Sequence, residues 1–194
     1  NLAAGIYTIT VVDANGCIAS TTATINEPAP IVFNPASTNP TCFGDCDGTV
    51  GVTATGGMPP FQYLWNDPGA QTNATAIGLC AGTYIGSITD TNGCTVIATI
   101  AISYPQPITS SISLVDETCF GACDGSVTVN PNNGTGAYTY IWDDPFTQAT
   151  QTAGNLCVGT YNVTITDNNG CLATASGTVS GPIDLNILIS SSGN

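Results

Sequence analysis

Cysteine and carboxylate are the only reactive side chains this sequence offers in number. Among 194 residues there are nine Cys and thirteen Asp plus Glu, with no Lys, Arg or His, for a formal charge of −13. A Ser or Cys nucleophile would lack the imidazole or amine that activates it. Carboxylates and Tyr remain as the only proton-transfer groups, so the chain is expected not to be an enzyme. Phosphate neutralisation needs cations, and so does adhesion to anionic lipid; nucleic acid and membrane surfaces are therefore not expected partners. No apolar run reaches the ~18 residues of a membrane-spanning helix, so no membrane insertion is expected. Lys–Asn isopeptide crosslinking is likewise impossible, and trypsin has no site to cut.

The cysteines stand in a repeated frame. Thr41-Cys42-Phe43-Gly44-Asp45-Cys46-Asp47-Gly48 returns as Thr118-Cys119-Phe120-Gly121-Ala122-Cys123-Asp124-Gly125. Leu79-Cys80-Ala81-Gly82-Thr83-Tyr84 returns as Leu156-Cys157-Val158-Gly159-Thr160-Tyr161, and in the form Leu2-Ala3-Ala4-Gly5-Ile6-Tyr7 near the start. Asn-Gly-Cys ends at Cys17, Cys94 and Cys171. The offsets 94 − 17, 171 − 94, 119 − 42 and 157 − 80 are all 77. Cysteine at this density in a Thr- and Gly-rich chain points to an oxidising, extracellular setting.

Four cysteines per complete unit allow three pairings. Near the start Cys17 is kept while Ala3 stands where Cys80 and Cys157 do, so bonding the third cysteine to the fourth would orphan Cys17. Pairing each with the opening Cys-x-x-x-Cys avoids that. The expected bridges are Cys42–Cys94 with Cys46–Cys80, and Cys119–Cys171 with Cys123–Cys157, with Cys17 bonded to a cysteine upstream of the chain. The crossed set, Cys42–Cys80 with Cys46–Cys94, stays open, and a Cys₄ zinc site is the competing chemistry.

The elements that hold these cysteines read as strands. Tyr161, Val163 and Ile165 alternate with Asn162, Thr164 and Thr166, as do Tyr7, Ile9 and Val11 with Thr8 and Thr10. Phe61, Tyr63 and Trp65 form another alternating run, matched by Tyr138, Tyr140 and Trp142. Asp90-Thr91-Asn92-Gly93 and Asp167-Asn168-Asn169-Gly170 separate such runs, and Asn-Gly suits a tight hairpin. A period of 77 residues is a small domain rather than a solenoid turn. The expected fold is all-β: tandem immunoglobulin-like β-sandwich domains with two disulfides per complete unit. The expected boundaries are 1–29, the C-terminal part of a preceding repeat; 30–106 and 107–183, complete repeats; and 184–194, the first strand of the next. Joints at Pro28, Pro105 and Pro182 favour a stiff array. Gly-Thr-Tyr is similar to a tyrosine corner, with Tyr84 as plain core the alternative.

Calcium is the strongest ligand candidate. Asp47, Asp90, Asp124 and Asp167 lie in loops and supply the hard oxygens that ion prefers; Asp45 is replaced by Ala122 in the second unit. Turn chemistry, in which Asp bonds its own backbone, is the alternative. No other cofactor is expected. Trp65 and Trp142 are read as core rather than as a sugar platform. Asn73, Asn133 and Asn162 head Asn-x-Thr triplets that Thr-rich strands also produce by chance.

In this order, Cys-Phe-Gly-x-Cys-Asp-Gly, Pro-Pro-Phe-Gln-Tyr-Leu-Trp, Leu-Cys-Ala-Gly-Thr-Tyr and Thr-Asp-x-Asn-Gly-Cys resemble the SprB-repeat family. That resemblance implies a module of very large surface adhesins of gliding bacteria, exported by the type IX route and displayed at the cell surface. It brings no catalytic residues. The implied role is a stalk in adhesion or gliding; the alternatives are a self-assembling filament subunit and a calcium- or glycan-binding module. The expected partners are neighbouring repeats of the same chain and like chains in a filament or bundle, with any surface or glycan ligand left unspecified.

Overall fold

A computed structural model describes residues 2–185. Fourteen strands and no helix occur among them. A hairpin of β1 (Gly5–Val12) and β2 (Ile18–Ile25) comes first. Six strands follow: β3 (Val32–Thr38), β4 (Gly48–Thr55), β5 (Gln62–Trp65), β6 (Thr75–Leu79), β7 (Gly82–Thr89) and β8 (Thr95–Ile102). Each has a counterpart 77 positions later: β9 (Thr109–Val115), β10 (Gly125–Asn132), β11 (Thr139–Trp142), β12 (Thr152–Leu156), β13 (Gly159–Thr166) and β14 (Leu172–Val179). The strand expected at 184–194 lies, from residue 186 on, outside the described residues.

In the first unit two three-stranded sheets, ordered β3-β4-β6 and β5-β7-β8, enclose one core. Val50, Val52, Ala76 and Leu79 come from the first sheet, and Trp65, Ile88, Ile100 and Ile102 from the second. Period-two geometry explains the selection: along β7, Gly86 and Ile88 are buried while Ile85 is exposed. The second unit repeats the layout, with sheets β12-β10-β9 and β11-β13-β14. Its core is Val127, Val129, Ala153 and Leu156 against Trp142, Val163, Ile165 and Val179. The fold is thus all-β, each complete unit being two facing sheets.

The cores differ in how they distribute volume. A Cβ on Gly177 of β14 would lie 2.7 Å from Val127, 2.9 Å from Leu114 and 3.1 Å from Ile112. The residues 77 positions earlier are Ile100, Val50, Ser37 and Pro35. Bulk therefore sits on β9 in the second unit and on β8 in the first. Beside the tryptophans, a Cβ on Gly86 would come within 2.6 Å of the Trp65 ring, whereas Val163 fills the equivalent position next to Trp142.

The β1–β2 hairpin pairs in full register from Gly5↔Ile25 to Val12↔Ile18. Val11 is 63 % exposed, although its counterparts Ile88 and Ile165 are both 0 % exposed. The face of this hairpin that corresponds to a core face is uncovered among the described residues.

Two compact units are present. One comprises residues up to Thr38 with Thr49–Ile102; the other comprises Asn39–Gly48 with the chain from Ser103 on. Cys42, in the short segment, is bonded to Cys171 of the same unit.

Candidate functional site

Three kinds of carboxylate turn present the cysteines and the tryptophans. In the hairpin turn, Asp90 Oδ1 accepts from Asn92 N and Cys94 N, both at 2.9 Å, and Oδ2 accepts from Met58 N at 3.0 Å. Asp167 does the same with Asn169 N and Cys171 N at 2.9 Å and Thr135 N at 2.8 Å. Asp13 accepts from Asn15 N at 2.9 Å and Cys17 N at 2.8 Å. This differs from the tight Asn-Gly hairpin expected. Five residues separate β7 from β8, Asp holds them, and of the Asn-Gly pair only the glycine takes positive φ (+81° at Gly93).

In the opening loop, Asp47 accepts from Thr41 N at 2.8 Å and from the Thr41 hydroxyl, and Asp124 accepts from Thr118 N at 3.0 Å and the Thr118 hydroxyl. A third turn begins at Asp67, and its counterpart at Asp144. Asp67 Oδ1 accepts from Gln71 N at 2.9 Å, and Gln71 then pairs both ways with the Ile77 backbone. Asp144 and Gln148 copy this, with Gly154 in place of Ile77. The signal was present as Asp-x-x-x-Gln recurring 77 residues apart. Each turn sits beside an indole: Trp65 Nε1 donates to Asn73 O and Trp142 Nε1 to Thr150 O, both at 2.9 Å.

Tyr84 donates to Cys80 O at 2.9 Å, Tyr161 to Cys157 O at 3.1 Å and Tyr7 to Ala3 O at 2.8 Å. This is the backward O–H bond of a tyrosine corner.

The bridges depart in part from those expected. Cys123 is bonded to Cys157, and Cys46 and Cys80 are both disulfide-bonded. Cys42, however, bonds Cys171, with Cα atoms 5.4 Å apart, and not Cys94; Cys94 and Cys119 are free and exposed, as is Cys17. The Cys42–Cys94 and Cys119–Cys171 pairs are thereby corrected. They presumed that every bridge closes within one repeat, which cysteine spacing alone does not require.

Asp47, Asp90, Asp124 and Asp167 are not drawn together. Among the described residues the one cluster of three potential ligands is Glu117, Cys123 and Cys157. Two of its sulfurs form the disulfide, and Glu117, 6 % exposed, accepts from Cys123 N at 3.0 Å and Gly121 N at 3.3 Å. Glu117 replaces Pro40 of the first repeat and stitches its own opening loop. A cleft of about 340 Å³ in the second unit is bounded by the Cys42–Cys171 bridge, Phe43, Pro105 and Asp167. Phe43 stacks at an angle on Tyr104, ring centroids 5.2 Å apart.

These hydrogen bonds set the acid response. The Thr41 hydroxyl and then its N–H hold Asp47 below the usual carboxylate range, and Thr118 does so for Asp124. For Asp67, Asp90, Asp144 and Asp167 burial pushes the pKa up, but the combined N–H donors outweigh it and the net shift is downward. A carboxylate whose pKa is lower folded than unfolded stabilises the fold above its unfolded pKa. That stabilisation disappears as pH falls through the folded value. The melting temperature should therefore be level from pH 7 to about 5 and fall steeply below about 4. Circular dichroism melts check this; a level profile down to pH 2 would contradict it.

Two all-β sandwich units with the same strand order and the same carboxylate turns 77 residues apart define a tandem-repeat protein. The sequence model of the SprB repeat matches the chain at residues 34–70 and again at 111–147. No curated protein matches the chain. Similar solved structures include the N-terminal eight Ig domains of Down Syndrome Cell Adhesion Molecule (14 % identity, TM-score 0.42, 92 % of this chain and 28 % of that one). Sidekick-1 immunoglobulin domains 1–4 align at 12 % identity and TM-score 0.37, covering 93 % and 59 %. The amphioxus IgVJ-C2 molecule aligns at 13 % identity and TM-score 0.31, covering 80 % and 98 %. This chain thus spans under two thirds of the first two structures.

Proposed function

We propose that this chain is a structural segment of a long extracellular adhesin or filament, acting as a stiff, disulfide-stapled stalk in adhesion or gliding. The observation that carries the proposal is the recurrence of one SprB-repeat unit with its turns intact. The side chains support it. The carboxylates are spent on backbone N–H groups, and no Lys, Arg or His accompanies them. Such a module has no need of a cofactor, works by mechanical reach rather than catalysis, and is kept soluble by its negative charge. Immunoglobulin-like topology, repeat boundaries at 30–106 and 107–183, secretion and surface display all belong to this reading.

Electron microscopy of the native material, labelled with antibody to this segment, tests it. Thin rods projecting from cells are expected; isolated globular particles would overturn the stalk.

A further inference from the structure

Two separations along the chain account for the cysteines. Cys123 and Cys157 are bonded across 34 residues, and Cys46 and Cys80, both disulfide-bonded, stand at the same separation. Cys42 and Cys171 are 129 residues apart, which is the distance from the first cysteine of one repeat to the fourth cysteine of the next. Applied to the free cysteines, the same separation carries Cys119 forward past residue 194, and carries Cys94 and Cys17 back before residue 1. The free thiols are thus the three cysteines whose counterpart at that distance falls outside the 194 residues.

Local geometry treats free and bonded members alike. The backbone N–H of Cys17, Cys94 and bonded Cys171 each donates to the Asp four residues earlier, at 2.8 to 2.9 Å. Cys42 and free Cys119 occupy the same loop, in which the carbonyl of the first cysteine accepts from the N–H three residues on, at 3.2 and 3.0 Å. An Asp–Thr clamp closes both loops. Every free cysteine is therefore held in the frame of one that is bonded, and all three are exposed.

We propose that the first cysteine of each SprB repeat bonds the fourth cysteine of the following repeat, so that consecutive repeats are joined by a disulfide as well as by the peptide backbone. Cys119 is the donor half awaiting a following repeat; Cys94 and Cys17 are acceptor halves awaiting a preceding one. Each bond forms by oxidation of two thiols. A low-molecular-weight disulfide accepts the two electrons and two protons and leaves as two thiols. The pairing rule goes beyond the stalk reading and does not depend on it, because it concerns connectivity and not display.

Disulfide mapping tests the rule independently of microscopy. The chain is refolded in a glutathione disulfide buffer, its free thiols are alkylated, and it is cut without reduction by a protease acting at aromatic or Asp residues. A Cys42–Cys171 crosslinked peptide is expected, with alkylation at Cys17, Cys94 and Cys119. Cys42→Ser should add Cys171 to the alkylated set and leave the short bridges, and hence folding, in place. In a chain lengthened by a further copy of residues 107–183, Cys119 should lose its alkylation and appear crosslinked to the fourth cysteine of the added copy. Cys42–Cys94 or Cys119–Cys171 peptides would overturn the proposal. So would release of Cys94 instead of Cys171 by Cys42→Ser, or a Cys119 that stays alkylated in the lengthened chain.

Discussion

Replacing Trp142 with Ala is expected to cost the second unit about 3–5 kcal/mol, the range for truncating a large buried aromatic. Trp142 is 1 % exposed and contributes the largest side chain of its core, although its strand β11 is only four residues long. Its loss leaves a cavity between the sheets. It also strips the Thr150 carbonyl of the indole donor at 2.9 Å, beside the loop that Asp144 and Gln148 hold. Trp65→Ala should act equally on the first unit, where the indole is 2 % exposed and donates to Asn73. Each unit has one Trp, so the remaining indole reports the unaltered unit. In guanidinium titrations of Trp142→Ala, circular dichroism should show an early transition that Trp65 fluorescence lacks. A loss under about 1 kcal/mol would mean the ring carries no packing load.

Removing the Cys123–Cys157 bridge as Cys123→Ser with Cys157→Ser is expected to cost about 3–4 kcal/mol, by loop-closure entropy for a loop of this length. The sequence separation is 34, and the bridge connects the opening loop to the chain between β12 and β13. A unit of this size buries too little apolar surface to absorb such a loss comfortably. Changing both cysteines together avoids a stray thiol, so the midpoint shift reads the crosslink itself. Dithiothreitol should lower the midpoint of the unaltered chain at least as far. Equal midpoints for the unaltered chain and the double variant would show that the bridge does not constrain the unfolded state.

Strand positions were legible because alternation of Tyr, Val, Ile and Trp with Thr and Asn reports a half-buried sheet directly. Trp65 and Trp142 were read correctly as core rather than sugar platform for the same reason, and their burial confirms it. The turn chemistry of Asp90 and Asp167 was visible as an alternative to metal binding, since Asp followed by Asn-Gly places backbone donors around the carboxylate. Two things were hidden. Gln71 and Gln148 work through side-chain bonds to strands six residues on, which no apolar period records. The partner of Cys42 was hidden more deeply, because a thiol's identity says nothing about how far along the chain its bond reaches.

Volume partition between β8 and β3, against β14 and β9, constrains how such arrays can be rewritten. Tandem DNA repeats exchange segments by unequal crossing-over, and a crossover inside a unit joins the early strands of one repeat to the late strands of another. Placing Ile100 opposite Ile112 and Leu114 would force bulk into the space that only Gly177 leaves open, an overpacking that costs typically about 1–3 kcal/mol. The reciprocal product would set Gly177 against Pro35 and Ser37 and leave a void. Exchange near the Pro105 joint keeps each pair of strands with its own complement. Repeats of this kind should therefore lengthen or shorten by whole units, each inherited as an indivisible packing block.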